Sequence, residues 1–212
     1  MERKLPLVLL VALIAVFIFT FALTPESKLN WLLEVGPGLI GAAVCVATYR
    51  RFPLSTFVYV LIFVHVLILA YGGFYTYAKA PLGEWMKGLT GSTRNDYDKI
   101  GHFAFGFFPV FTIREIYLRL QLMKDGGWLN FTLVSIVAGF AAVYELIEWA
   151  AALVLDPAGG DAFLGTQGDI WDAQKDMAYA IVGATLGLLL LRKLHQRSME
   201  RLGHRGAREA GA

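Results

Sequence analysis

The chain has 212 residues, 57% hydrophobic and 17% charged, with a formal net charge of +2. That balance is too apolar for a typical soluble domain, and nucleic-acid binding has no support beyond a basic C-terminal tail. The apolar residues come in long blocks, which predicts an all-α, multi-pass membrane protein with no room for a separate soluble domain.

Six blocks approach the roughly 20 residues that a helix needs to cross about 30 Å of hydrocarbon. The first, 5–23, follows the basic start "MERK". Thr20-Phe21-Ala22 loosely fits a signal cleavage site, but the apolar core is long for a signal peptide and predicts a retained anchor. The second, 31–49, carries Glu34 at one end, with Gly36, Pro37 and Gly38 expected to loosen the helix there. It contains Cys45, the only cysteine, so neither an intramolecular disulfide nor a cysteine-based metal site is expected.

The third block, 54–72, contains His65. In the fourth, 98–119, only "FAFGFFPVFTI" separates His102 from Arg114, about 16 Å of helix, so Arg114 is expected to snorkel to the near surface. The fifth, 128–153, holds Glu145 and Glu148 about 15 and 10 Å before its end. The sixth, 170–191, opens with Asp169, Asp172 and Asp176 on one helical face. Asp169 and Asp172 also suit the cap and first turn of that helix, as Asp98 suits the fourth. Tyr75, Tyr77, Trp85 and Trp149 are expected in the interfacial aromatic belt. Residues 1–191 read as one six-helix transmembrane domain. Residues 192–212, with Arg192, Lys193, Arg197, Arg201, Arg205 and Arg208, read as a basic cytoplasmic tail, a frayed helix or disordered segment in or near anionic headgroups.

Placing the N-terminus in the cytoplasm collects Arg3, Lys4, Arg50, Arg51, Arg114, Arg119, Lys124 and the tail on the inner side, as the positive-inside rule requires. Both termini are then cytoplasmic. Most acids fall on the outer side, Asp156 and Asp161 among them, although acid positions did not enter that assignment.

Helical spacing pairs Asp98 with His102, Glu145 with Glu148, and Asp172 with Asp176, each pair on one face and all near the outer leaflet. Charged groups at membrane depth face one another or a wet cavity. One outward-open polar pocket is therefore expected, which Glu34 and His65 can join. Carboxylates with histidine and no thiolate suit magnesium, manganese, zinc or non-haem iron. The expected metal ligands are His102, Glu145, Glu148, Asp172 and Asp176. The same residues and Asp98 are the candidate acid-base groups, and Arg94, Glu34, His65 and Asp169 are candidate substrate contacts, Arg94 through an anion.

A bound divalent metal would support hydrolysis or transfer on a lipid or envelope-precursor headgroup. The alternative is a proton- or cation-coupled transporter, which needs polar groups through the whole depth of the bilayer. The inner halves of the spans read as nearly pure hydrocarbon apart from Arg114 and Glu115. A third reading is a non-catalytic protein whose buried ion pairs hold its helices together, with Arg94, Lys99 and Lys175 as counter-charges.

The stretches "WLLEVGP", "RFPLSTFVYVLIFVH", "GGFYTYAKAPLGEW", "RNDYDKIGHFAFGFFPVFTIRE", "YELIEW" and "FLGTQGDIWDAQKDM" resemble the YjdF-like bacterial inner-membrane proteins, a family of unknown function. The likeness runs from about Trp31 to Leu191. It implies the fold and an inner-membrane location, but no substrate, cofactor or reaction. Glu34, His65, Arg94, Asp98, His102, Arg114, Glu145, Glu148, Asp169, Asp172 and Asp176 match the family's pattern at the polar site. A shorter likeness, in the D-x-x-x-H helix and the acid-rich helix, is to VanZ-like membrane proteins.

Overall fold

A computed structural model describes residues 4–155, 160 and 163–210, with side chains through Gly203. Arg3, Asp156 and Asp161 lie outside the described residues, as do the side chains of Arg205 and Arg208. The described residues form α1 (Leu5–Leu23), α2 (Lys28–Thr48), α3 (Thr56–Tyr75), a 3-10 turn (Tyr77–Lys79), α4 (Pro81–Thr90), α5 (Tyr97–Phe107), α6 (Val110–Arg119), α7 (Gly127–Val154) and α8 (Asp172–Ala210), with no strand among them. Five helices, α1, α2, α3, α7 and α8, are long and apolar enough to cross a membrane. The chain is an all-helical, multi-pass membrane protein.

The fourth expected span is two helices. Pro109 has no N–H to offer the carbonyl four residues back, and the ladder breaks there. Phe108 and Pro109 nevertheless keep right-handed helical dihedrals, and Phe111 N–H and Thr112 N–H close the gap with i→i−3 bonds to Phe108 and Pro109. Such 3-10 bonds are the usual repair at a proline kink. The two pieces are 11 and 10 residues long, about 16 and 15 Å at 1.5 Å per residue.

Small residues place α5 directly on α8. A Cβ added at Gly106 would sit 1.8 Å from the Ala180 carbonyl oxygen, and one at Gly183 would sit 2.1 Å from that of Phe103. Backbones approach this closely only where side chains are absent or minimal, and Ala180, Gly183, Ala184 and Gly187 form a small-residue seam at i,i+4 spacing. The seam fixes His102 and Asp98 on α5 beside Asp176 and Asp172 on α8.

The core runs through Val58 and Leu61 of α3, Val110 and Phe111 of α6, Leu129, Leu133 and Val137 of α7, and Ala180, Ala184 and Leu188 of α8. At one end, here the acidic end, the loop between α1 and α2 is tied to α3 by Thr24 Oγ1, which donates to the Phe74 carbonyl at 2.7 Å.

Helix α4 lies outside the six expected blocks. Pro81 at its first turn and Gly91 in the left-handed region just past it delimit ten residues, a proline start and glycine stop that fit helix-end chemistry. Leu82, Trp85 and Leu89 project from it exposed. At i, i+3 and i+7 they form one apolar face, as in a helix lying along a membrane interface.

Candidate functional site

Arg94 organises the acidic end. Its guanidinium bonds Asp98 and Asp172, reaches Asp169 Oδ2 at 3.4 Å, and donates to the backbone carbonyls of Thr166 at 3.1 Å and Gly165 at 3.3 Å. A planar fork of five donors is the group that can join several carboxylates at once. Next to it, Asn95 and Gln167 clamp the two loops reciprocally: Asn95 N–H donates to Gln167 Oε1 at 2.9 Å, and Gln167 Nε2 donates to the Asn95 carbonyl at 2.8 Å. Asn95 Nδ2 also bonds the Ala80 carbonyl and Glu84, which carries the clamp to α4.

The outermost acids are held ionised by nearby bases. The Lys175 ammonium, 2.5 Å from Asp169, and then the Trp171 N–H hold the Asp169 carboxyl below the usual carboxylate range. Partial burial works against ionisation of Asp96, but bonds from Lys99 and Ser92 outweigh it and hold that group low as well. Lys99 also lies 3.9 Å from Asp98 and 3.8 Å from Asp172. Arg94, Lys99 and Lys175 therefore offset Asp96, Asp98, Asp169 and Asp172. The fourth expected helix and the sixth are joined by this network.

A second group of acids lies deeper and has no such partners. A cavity of about 50 Å³ is lined by Glu34, Pro37, Asp98, His102, Glu148 and Asp176, with Tyr77 and Tyr144 on its walls and Phe163 to Gly165 beside it. This is room for a few water-sized bodies. His102 Nε2 lies 3.6 Å from Glu145 Oε1. One ligand atom each from His102, Glu145 and Asp176 fall within 4.8 Å of one another, as do oxygens of Asp98, Asp172 and Asp176. Among the described residues no lysine or arginine pairs with Glu34, Glu145, Glu148 or Asp176. Glu34 Oε2, Glu145 Oε1 and Asp176 Oδ1 are buried without a hydrogen-bond partner among the described residues. Uncompensated carboxylates in a low dielectric are costly, so a cation or protons must neutralise them.

The expected site residues thus divide. His102, Glu148 and Asp176 line the cavity from α5, α7 and α8, Glu34 reaches it from α2 with its Oε1 accepting from Asn30 Nδ2 at 2.8 Å, and Glu145 stands beside it within reach of His102 and Asp176. Asp98 lines it and Asp172 stands close to Asp176, but both are paired with Arg94. Arg94 meets four carboxylates, with Nε 3.3 Å from Asp96 Oδ1, and two carbonyls. Asp169 sits at the rim, its Oδ1 accepting from Trp171 N–H at 3.0 Å. His65 lies apart from the cavity wall, buried against the rings of Phe105 and Phe108 with Nε2 unpartnered. Tyr77 is not in the interfacial belt: its ring is wedged between Gly72 and Gly101, where an added Cβ would come within 2.4 and 2.6 Å of it.

Arg114 does not snorkel. At the opposite, basic end of the bundle it is fully buried with Glu115 and His195. Arg114 Nη1 is 2.8 Å from His195 Nδ1, and its Nη2 donates to Asp125 Oδ2 at 2.8 Å. Because arginine only donates, His195 Nδ1 accepts, and Nε2–H faces Glu115 Oε2 at 3.1 Å; this is the neutral tautomer. Glu115 Oε1 also accepts from Ser55 N–H at 2.7 Å and from Arg119 at 2.9 Å. The tail is therefore not loose at this point: α8 runs on past Leu191, and His195 locks it to α6. Sequence reasoning missed His195, Asp125 and Ser55. The available signal was the adjacent pair Arg114 and Glu115, two charges too deep to lack partners.

With this geometry in hand, comparison with known proteins is informative. Residues 5–197 match the family described as "Predicted membrane protein (DUF2238)". The "Inner membrane protein YjdF" of Escherichia coli (strain K12) is 43% identical over 188 residues, which cover 89% of each chain. No solved structure matches. Spanning nearly the whole helical bundle, these similarities show that the chain belongs to the DUF2238 family of membrane proteins, the YjdF-like family.

Proposed function

We propose that His102, Glu145 and Asp176, at the edge of the cavity at the acidic end, bind one divalent cation, and that the protein uses it on a phosphate-bearing lipid or envelope headgroup. The observation that carries this reading is the meeting of those three ligand atoms within 4.8 Å beside carboxylates that have no basic partner among the described residues. Two carboxylates and one imidazole match the charge and hardness of magnesium, manganese, zinc or iron(II). Asp172, expected among the ligands, is the weaker choice because Arg94 already neutralises it. Such an ion supplies Lewis-acid polarisation or an activated water. Glu148, on the cavity wall and away from Arg94, serves as the acid-base group, and Tyr144, with its ring 6.0 Å from that of His102, closes the side toward α7. At about 50 Å³ the cavity admits the reacting atoms of a headgroup rather than the headgroup whole.

In this reading the protein crosses the inner membrane six times, α5 and α6 forming one kinked span, with both termini in the cytoplasm and the cavity near the outer leaflet. The placement of Lys4, Arg50, Arg51, Arg119 and Lys124 supports that orientation, and the name of the Escherichia coli relative supports the location.

Coupled proton transport is the second reading, and a specific observation favours it. Polar groups occur at three levels: the acidic cavity, the buried His65 with a free Nε2, and the Glu115–His195 cluster. Besides Arg114 and Glu115, which the sequence already set apart, the basic end holds the buried His195. Elemental analysis of purified protein separates the two readings: tightly bound metal in wild type, lost in Glu145→Gln and Asp176→Asn, is expected. Metal-free wild type that dissipates a pH gradient in proteoliposomes would replace catalysis with transport.

A further inference from the structure

We propose that a cleft between α1, α2 and α3 at the basic end is a binding site for one anionic phospholipid. Helices α1 and α2 are joined at the acidic end by the short segment Thr24–Ser27. Toward the other end they enclose a cleft of about 430 Å³, lined by Leu7, Leu10, Leu13, Val46, Ile62 and Phe63. That volume falls within the range of small-molecule sites. The small side chains of Ala42 and Ala47 on α2 open room opposite the leucines of α1.

Polar character is confined to one rim, formed by Tyr49, Arg50 and Tyr59. The Tyr59 hydroxyl accepts from Leu54 N–H at 3.1 Å, which leaves its own proton to donate. Arg50 lines the cleft exposed, Arg51 follows it and Lys4 immediately precedes the start of α1, both also exposed, and none of the three has an acidic partner among the described residues. An acyl chain matches the greasy wall. A phosphodiester bearing net negative charge matches the rim, whereas a zwitterionic headgroup brings an ammonium that these bases disfavour. The site is independent of the acidic cavity and of any chemistry there.

Native mass spectrometry of the full chain, released from micelles containing equimolar phosphatidylglycerol and phosphatidylethanolamine, tests this. Wild type is expected to retain one phosphatidylglycerol in preference to phosphatidylethanolamine. Arg50→Gln is expected to reduce the preference roughly fivefold, Ala47→Phe to displace the lipid by filling the cleft, and Lys193→Gln to leave the preference unchanged. Equal retention of the two lipids by wild type, or a preference that survives both Arg50→Gln and Ala47→Phe, would overturn the proposal.

Discussion

Arg94 shows how one residue decides the state of several others. Its side chain is mostly buried and holds Asp98 and Asp172 on two different helices, with Asp169 in the loop between α7 and α8. Removing it leaves Asp98 and Asp172 with only the more distant Lys99, at 3.9 and 3.8 Å, as a counter-charge, so Arg94→Met is expected to cost about 3 kcal/mol, read as a large drop in the melting temperature of the detergent-solubilised protein. Arg94→Lys keeps the charge but not the fork, and should recover only part of that loss. The sequence suggested Arg94 as a contact for a substrate anion because it showed a cation near acids. It could not show that residues 165–169, some 70 positions later, return to surround the guanidinium. The deeper groups left a clearer signal: His102, Glu145, Glu148 and Asp176 lie too far inside their spans for helix capping, so the sequence alone predicts that they face one another or a wet cavity.

At the scale of elements, the α5–α8 seam holds the candidate site together. Gly183→Ala would press a methyl group toward the Phe103 carbonyl, 2.1 Å away, and is expected to destabilise by about 1–3 kcal/mol or more. Gly139→Ala on α7 meets nothing within 4 Å and should be neutral or mildly stabilising; thermal unfolding of the two variants side by side checks this. The end of α8 offers a second contrast. Truncation after Leu191 removes His195 and exposes a buried Arg114 and Glu115, so it is expected to lower stability sharply, while truncation after Gly203 should leave it near wild type. A free basic tail would make both truncations silent. Composition alone favoured the free tail, because six basic residues look solvated and His195 among them carries no periodic signal. Its partners on α6 are 80 or more positions away.

The whole molecule is a bundle with polar groups concentrated at its two ends and a largely apolar middle in which His65 is the exception. Hydrophobic block length revealed the spanning helices, and the charge asymmetry separated a basic end from an acidic one. Two things escaped. The break at Pro109 is a local backbone event inside an otherwise continuous apolar block, and α4 is too short and too amphipathic for a span-length window, although Pro81, Gly91 and the spacing of Leu82, Trp85 and Leu89 mark it once it is sought. The cation site proposed at the acidic end rests on His102, with Glu145 and Asp176. Pulsed electron paramagnetic resonance of the manganese(II)-loaded full chain reads its ligands directly. Expected is a coupling from a single histidine nitrogen that vanishes in His102→Gln and persists in His65→Gln; absence of bound manganese, or a coupling that survives His102→Gln, would contradict it.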